Sequence, residues 1–123
     1  MAHSTEAVTT ALLKLALDGA ALRHQAIAAN IANATTPGYQ PVRVSFESQL
    51  AQLRQRLDAG EPLQRAGADA APQVEAMGEA GDRVAIDLQA ADLAQNVVHY
   101  QALVRGLNKR MAILATAINE GKR

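Results

Sequence analysis

Apolar residues recur every three or four positions through the first part of the chain, the spacing that places side chains on one face of an α-helix. They form two adjacent rows, which together make a wide apolar face. We therefore predict a long helix that needs packing partners on two sides. The first row comprises Val8, Leu12, Leu15, Gly19, Leu22, Ala26, Ala29 and Asn33, and the second comprises Leu13, Leu17, Ala20, His24, Ile27 and Ile31.

The end of the chain carries a longer, unbroken row with heptad spacing, from Ile86 to Ile118. A helix of this length would extend about 50 Å at the usual rise per residue. We predict that the two long helices pack antiparallel as a coiled-coil-like hairpin. The predicted interface consists of Leu12, Leu15, Leu22 and Ile27 from the first helix and, from the second, a C-terminal seam of Leu93, Val97, Tyr100, Val104, Leu107, Met111, Leu114 and Ile118.

The region between the long helices divides into a turn, an extended stretch, a short helix and a loop. The first helix should end before Pro37-Gly38, which suits the central positions of a type II turn because glycine accepts the positive φ required there. Residues 41–44 are extended in character and suit a short edge strand, and a short amphipathic helix follows from Phe46 to Leu57. Residues 58–82 are rich in alanine, glycine and proline, so we expect a mobile loop.

Composition supports a helical protein. Hydrophobic residues make up 49% of the 123 residues but aromatic residues only 2%, so alanine and leucine, which favour helices, carry the apolar content. We predict an all-α fold with two long helices, one short middle helix and a flexible loop. Residues 1–40 and 86–123 should form one structural domain, and residues 41–85 the middle segment between them.

Charge and polar residues argue against several classes of function. The net charge is zero, whereas nucleic-acid binding requires a basic surface. The chain has no cysteine, and no apolar run reaches the roughly 18 residues of a membrane span. His3, His24 and His99 do not stand at metal-ligand spacing, and no nucleophile or phosphate-binding motif is present. We therefore expect no catalytic, cofactor or metal site.

Asn30 and Asn33 are unusual because asparagine is a poor helix former. In one interpretation they lie in the last helical turn, where their amides bond free carbonyls and fix the turn. In the other, they bond a neighbouring subunit and set its register, as polar residues do in coiled coils. Spacing alone favours the first interpretation.

Residues 28–39, with the sequence AANIANATTPGY, resemble the N-terminal motif shared by flagellar rod, hook and hook-associated proteins. Residues 96–104 are similar to the closing helix of that family, and the length resembles its two short proximal-rod members. Ala85 and Gln89 depart from the pattern, since acidic residues are common at these positions, so no polar contact is carried over to them. The positions that match the family are Asn30, Ile31, Asn33, Pro37, Gly38, Tyr39 and Phe46.

The resemblance implies a non-enzymatic structural subunit that transmits motor torque in the proximal rod. Its partners would be copies of itself, other rod proteins, the membrane-ring adaptor at the rod base and the flagellar type III export apparatus. It would leave the cytoplasm without a cleaved signal peptide and assemble in the periplasm. Residues 1–10 lack the apolar core of a signal peptide, as this route requires.

A rival hypothesis is a soluble helical hairpin that acts as an adaptor or secretion chaperone. Such a module would use the same apolar rows to hold one partner. Secretion chaperones are often acidic, whereas this chain is neutral. The asparagine-turn motif also has no evident purpose in a simple hairpin, so the sequence favours the structural subunit.

Overall fold

A computed structural model describes residues 5–122 and shows a mostly helical chain. Two long helices, α1 (Thr5–Ala32) and α4 (Ile86–Gly121), enclose a middle segment in the sequence. That segment contains β1 (Val42–Ser45), α2 (Glu47–Asp58), α3 (Leu63–Asp69) and β2 (Gln73–Ala76). The predicted long terminal helices are confirmed. The outer ends of the predicted segments 1–40 and 86–123, namely residues 1–4 and 123, lie outside the described residues.

The structure corrects the predicted middle segment. Residues 58–82, expected to be a loop, contain α3 and β2, so the fold is not all-α and has more than one short middle helix. The expectation failed because it counted large apolar side chains. Ala66 of α3 is fully buried although it is small, and β2 is held by antiparallel backbone pairing with β1, which needs no apolar side chain.

A first core cluster covers the N-terminal half of α1. Leu15 packs with Leu53 and Leu57 of α2 and with Ala66 of α3. Leu12 is half-buried against the same cluster. The first apolar row of α1 therefore finds its partner in the middle segment, and this is one of the two sides on which α1 was predicted to pack.

A second core cluster surrounds Phe46, which is 1% exposed. Ala16 and Ala26 of α1 and Val44 of β1 pack with it. The ring lies so close to Gly19 that a Cβ atom at this position would overlap the ring carbons. Glycine is thus required at this point of α1 for contact with the ring, despite its low helix propensity.

Polar side chains contribute to the contact between α4 and α1. Within α4, whose residues are all described, only Gln89 and Asn96 are buried. Gln89, near the start of α4, bonds Asn30, near the end of α1. Asn96, further along α4, bonds the carbonyl of Ala20, which lies earlier in α1. Among residues 5–122, no helix is long and apolar enough to cross a membrane.

We predict that Gly19→Ala destabilises the fold although it raises helix propensity. The added methyl group would overlap the Phe46 ring, and overpacking of this kind costs about 1–3 kcal/mol. Gly106→Ala in α4 is the matched control, because its added methyl group would have no neighbour within 4 Å outside its own helical turn. It should stabilise the chain by about 0.5–1 kcal/mol. Chemical unfolding measures both, and equal stabilisation by the two changes would contradict the contact.

Candidate functional site

Two of the motif residues, Asn30 and Tyr39, meet Val42 and Gln89 in what we term the asparagine junction. Asn30 is 1% exposed. Its amide nitrogen donates to the carbonyl oxygen of Val42 at 2.7 Å and to Gln89 Oε1 at 2.9 Å. Its amide oxygen accepts from the Val42 N–H and the Tyr39 hydroxyl, each at 3.0 Å. Four bonds use the full capacity of the side chain and connect α1, the turn, β1 and α4.

This geometry supports the interpretation in which the asparagines fix the end of the first helix. The bonding groups of Asn30 are all taken inside its own chain. Asn33 acts more locally, since its amide donates to the Ala29 carbonyl at 2.9 Å and its oxygen accepts from the Thr36 hydroxyl at 3.1 Å. The two residues therefore differ in what they connect. Asn30 bonds three other segments, whereas Asn33 bonds only residues within four positions along the chain.

The chain leaves α1 through the predicted turn. The Tyr39 N–H donates to the Thr36 carbonyl at 3.3 Å, and Gly38 has a φ of +73°. The predicted positive φ at Gly38 is thus confirmed. Pro37 and Gly38 are exposed, whereas Tyr39 is half-buried because its hydroxyl reaches Asn30. Ile31, also a motif residue, is half-buried on α1. The turn directs the chain back along α1, so that main-chain groups of β1 can bond side chains of the helix.

Arg23 is the second connection between α1 and β1. Its guanidinium donates to the Val44 carbonyl at 2.7 Å and to both carboxylate oxygens of Glu47, at 2.7 and 2.9 Å. Its central carbon lies 4.4 Å from the centre of the Phe46 ring, in cation–π geometry. Sequence reasoning missed both Arg23 and Glu47, because they are 24 positions apart and no local pattern links them.

Strand β1 is therefore bonded along both edges. One edge pairs with β2, where Arg43 stands opposite Glu75 and the two side chains form an ion pair at 3.3 Å. The other edge meets α1, which supplies Asn30 to Val42 and Arg23 to Val44. Side chains of a helix thus bond main-chain groups that an edge strand would otherwise leave unpaired.

The predicted packing residues occupy different environments. Leu15 and Ile27 are buried, and Leu12 and Leu22 are half-buried, in each case on α1. The C-terminal seam on α4 is largely uncovered: Val97 is 37%, Tyr100 40%, Leu114 44%, Ile118 52% and Met111 58% exposed. Leu93, Val104 and Leu107 are half-buried. The structure does not bring the two predicted sets together as one closed interface within the chain.

The structure also locates the histidines that were considered from the sequence. Across residues 5–122, no group of three or more histidines and carboxylates is placed to hold a metal ion. His24 and His99 are exposed, and His3 lies outside the described residues. What the surface offers instead is the apolar C-terminal seam.

Comparison with known proteins adds two findings to this geometry. Residues 16–40, which contain the asparagines and the turn, match the sequence profile of a family described as flagella basal body rod protein. The chain is also 34% identical over 119 residues to the flagellar basal body rod protein FlgB of Bacillus subtilis (strain 168). That alignment covers 89% of this chain and 92% of the relative, so the similarity extends far beyond the first helix and turn.

We predict that Asn30→Ala lowers the free energy of unfolding by about 2 kcal/mol, because the buried amide of Gln89 and the part-buried main-chain groups of Val42 lose their partner. Asn33→Ala is the matched control. Its bonds stay within one turn, so its loss should be about 1 kcal/mol or less. Urea unfolding monitored by circular dichroism measures both variants. An equal loss for the two would show that Asn30 has no special bridging role.

We predict a pH-dependent contribution from Glu47. The hydrogen bonds from the Arg23 guanidinium lower its carboxyl pKa from 4.5 to about 2 in the folded chain. The ionised carboxylate therefore stabilises the folded state above pH 4.5, and this contribution disappears as the pH falls towards 2. Glu47→Gln should lower the free energy of unfolding at pH 7 but change it little at pH 2.5. The side chain is largely exposed, so solvent screening keeps the effect small.

Thermal unfolding measured as a function of pH tests this difference. Glu120→Gln, at an exposed residue of α4, is the control. The Glu120 variant should show no loss of stability at pH 7. If Glu47→Gln remains equally destabilising at pH 7 and at pH 2.5, the ion pair with Arg23 is not the source of its effect.

Proposed function

Since this chain belongs to the family of the flagellar basal body rod protein FlgB and is a structural subunit of the flagellar basal body rod, we propose that it stands in the proximal part of the rod and joins its neighbours through α4. The exposed C-terminal seam is the observation that carries this proposal. Contiguous apolar surface on a soluble chain normally marks an interface. Burial between subunits would remove that surface from water.

Two features support a role in transmitting torque. The asparagine junction connects α1, the turn, β1 and α4, while the Phe46 cluster and Arg23 brace the middle segment on α1. Force applied to α4 would therefore pass to the other elements through buried packing and hydrogen bonds rather than through a hinge. We propose that α1 and α4 act together as an antiparallel pair and that residues 1–40 and 86–123 form the structural domain around which residues 41–85 fold.

The partners follow from this position in the rod. We propose that the chain contacts copies of itself, other rod proteins and, at the rod base, the membrane-ring adaptor. It would reach the periplasm through the flagellar type III export apparatus without cleavage of a signal peptide. The family is one of structural proteins, so the function lies in assembly rather than catalysis. The similarity also favours this role over the adaptor or chaperone considered from sequence.

The seam is tested by two neighbouring residues of α4 that are both exposed. Leu114 belongs to the C-terminal seam and is 44% exposed, whereas Ile113 lies off the seam and is 60% exposed. We predict that Leu114→Asp prevents rod assembly and swimming, because burying an unpaired carboxylate between subunits is costly. Ile113→Asp should leave both largely intact.

Each variant would be the sole copy in the cell, and purified basal bodies would be examined by electron microscopy with the subunit labelled. Export is measured separately, so that failure to leave the cytoplasm is distinguished from failure to assemble. Normal rods with Leu114→Asp would contradict the seam assignment. Label found away from the proximal rod in the wild-type strain would contradict the proposed position.

A further inference from the structure

The buried residues of α4 are two amides with heptad spacing. Gln89 is 8% exposed and Asn96 is 5% exposed, and no other residue of the fully described α4 is buried. Seven residues correspond to about two helical turns, so both amides lie on one face of α4. The apolar C-terminal seam lies beside this face and remains largely uncovered.

Each amide bonds one particular place on α1. Gln89 Oε1 accepts from Asn30 Nδ2 at 2.9 Å, and Asn96 Nδ2 donates to the Ala20 carbonyl at 2.8 Å. Ala16, Gly19 and Ala26 pack on Phe46. On the side of α4, Ala20 and the larger Ile27 line the grooves between the two helices.

We propose that Gln89 and Asn96 are positioning residues that set the longitudinal register of α4 on α1. Apolar contacts are not directional, so by themselves they oppose a shift of α4 by one or two turns only weakly. The seam does not oppose such a shift either, because its apolar pattern repeats every seven residues. The amides do oppose it, since in a shifted helix each would be buried without its partner.

The register determines the position along α1 at which α4 presents the C-terminal seam to other subunits. This consequence rests on the proposed function. The register itself does not, because it belongs to the single chain. It can therefore be measured in purified full-length protein, and the result is independent of where the chain stands in the rod.

The chain has no cysteine, so two introduced cysteines can carry spin labels without background. Gln25→Cys on α1 and Gln101→Cys on α4 are suitable, because both residues are exposed and line the same groove between the helices. Pulsed electron paramagnetic resonance then reports the distance between the labels. The unmodified register should give one narrow distribution.

In this background, Asn96→Leu should add populations displaced by about 5 or 10 Å, corresponding to one or two turns. Adding Gln89→Leu should enlarge them. Helical content should persist, because leucine is a good helix former. Gln95→Leu is the matched control: it is an exposed amide on the same helix and should leave the distribution narrow.

A stabilising role without positioning would give the opposite pattern, a lower thermal midpoint with an unchanged distance. A single native distance in the Gln89→Leu, Asn96→Leu double variant would overturn the proposal. If leucine prevents pairing through its bulk, Asn96→Ala tests the same point without added volume. Loss of pairing in both the leucine and the alanine variants would also overturn it, because the residue would then be needed for pairing itself rather than for its register.

Discussion

The buried amide of Asn30 is the interaction on which the arrangement of the other elements depends. It occupies the end of α1 and bonds both main-chain groups of Val42, the hydroxyl of Tyr39 and the side chain of Gln89. An apolar side chain there would leave a part-buried strand N–H and carbonyl without partners, which is more costly than the loss of an average hydrogen bond. A carboxylate could accept but not donate. Asparagine supplies both functions within one small side chain.

Asn30 acts together with Arg23, which lies seven positions earlier on α1. Seven residues are about two turns, so both side chains project from the same face of the helix. Asn30 meets Val42 and Arg23 meets Val44, two strand positions whose main-chain groups point to the same edge. The helix thus takes the place of a neighbouring strand, and a two-stranded sheet is held in a chain that is otherwise helical.

Local periodicity was sufficient to predict α1 and α4, because apolar residues that recur every three or four positions over 28 or 36 residues indicate an α-helix. The turn at Gly38 was also predictable, since positive φ restricts the choice of residue. The contact of the Phe46 ring with Gly19 was not predictable, because the reason for this glycine is its contact with a segment that is distant in the sequence. The same is true of α3, whose buried Ala66 carries no signal in composition.

The most informative difference concerns which side of α4 is buried. Hydrophobicity predicted that its apolar seam would face α1, yet the face with Gln89 and Asn96 is buried and the seam is largely exposed. This division suits a subunit whose principal contacts are with other chains. If the seam were closed against α1, assembly would first have to break that packing. Two buried amides bond α4 to α1 while much of the apolar surface stays uncovered, so that its burial at the proposed interface would favour assembly.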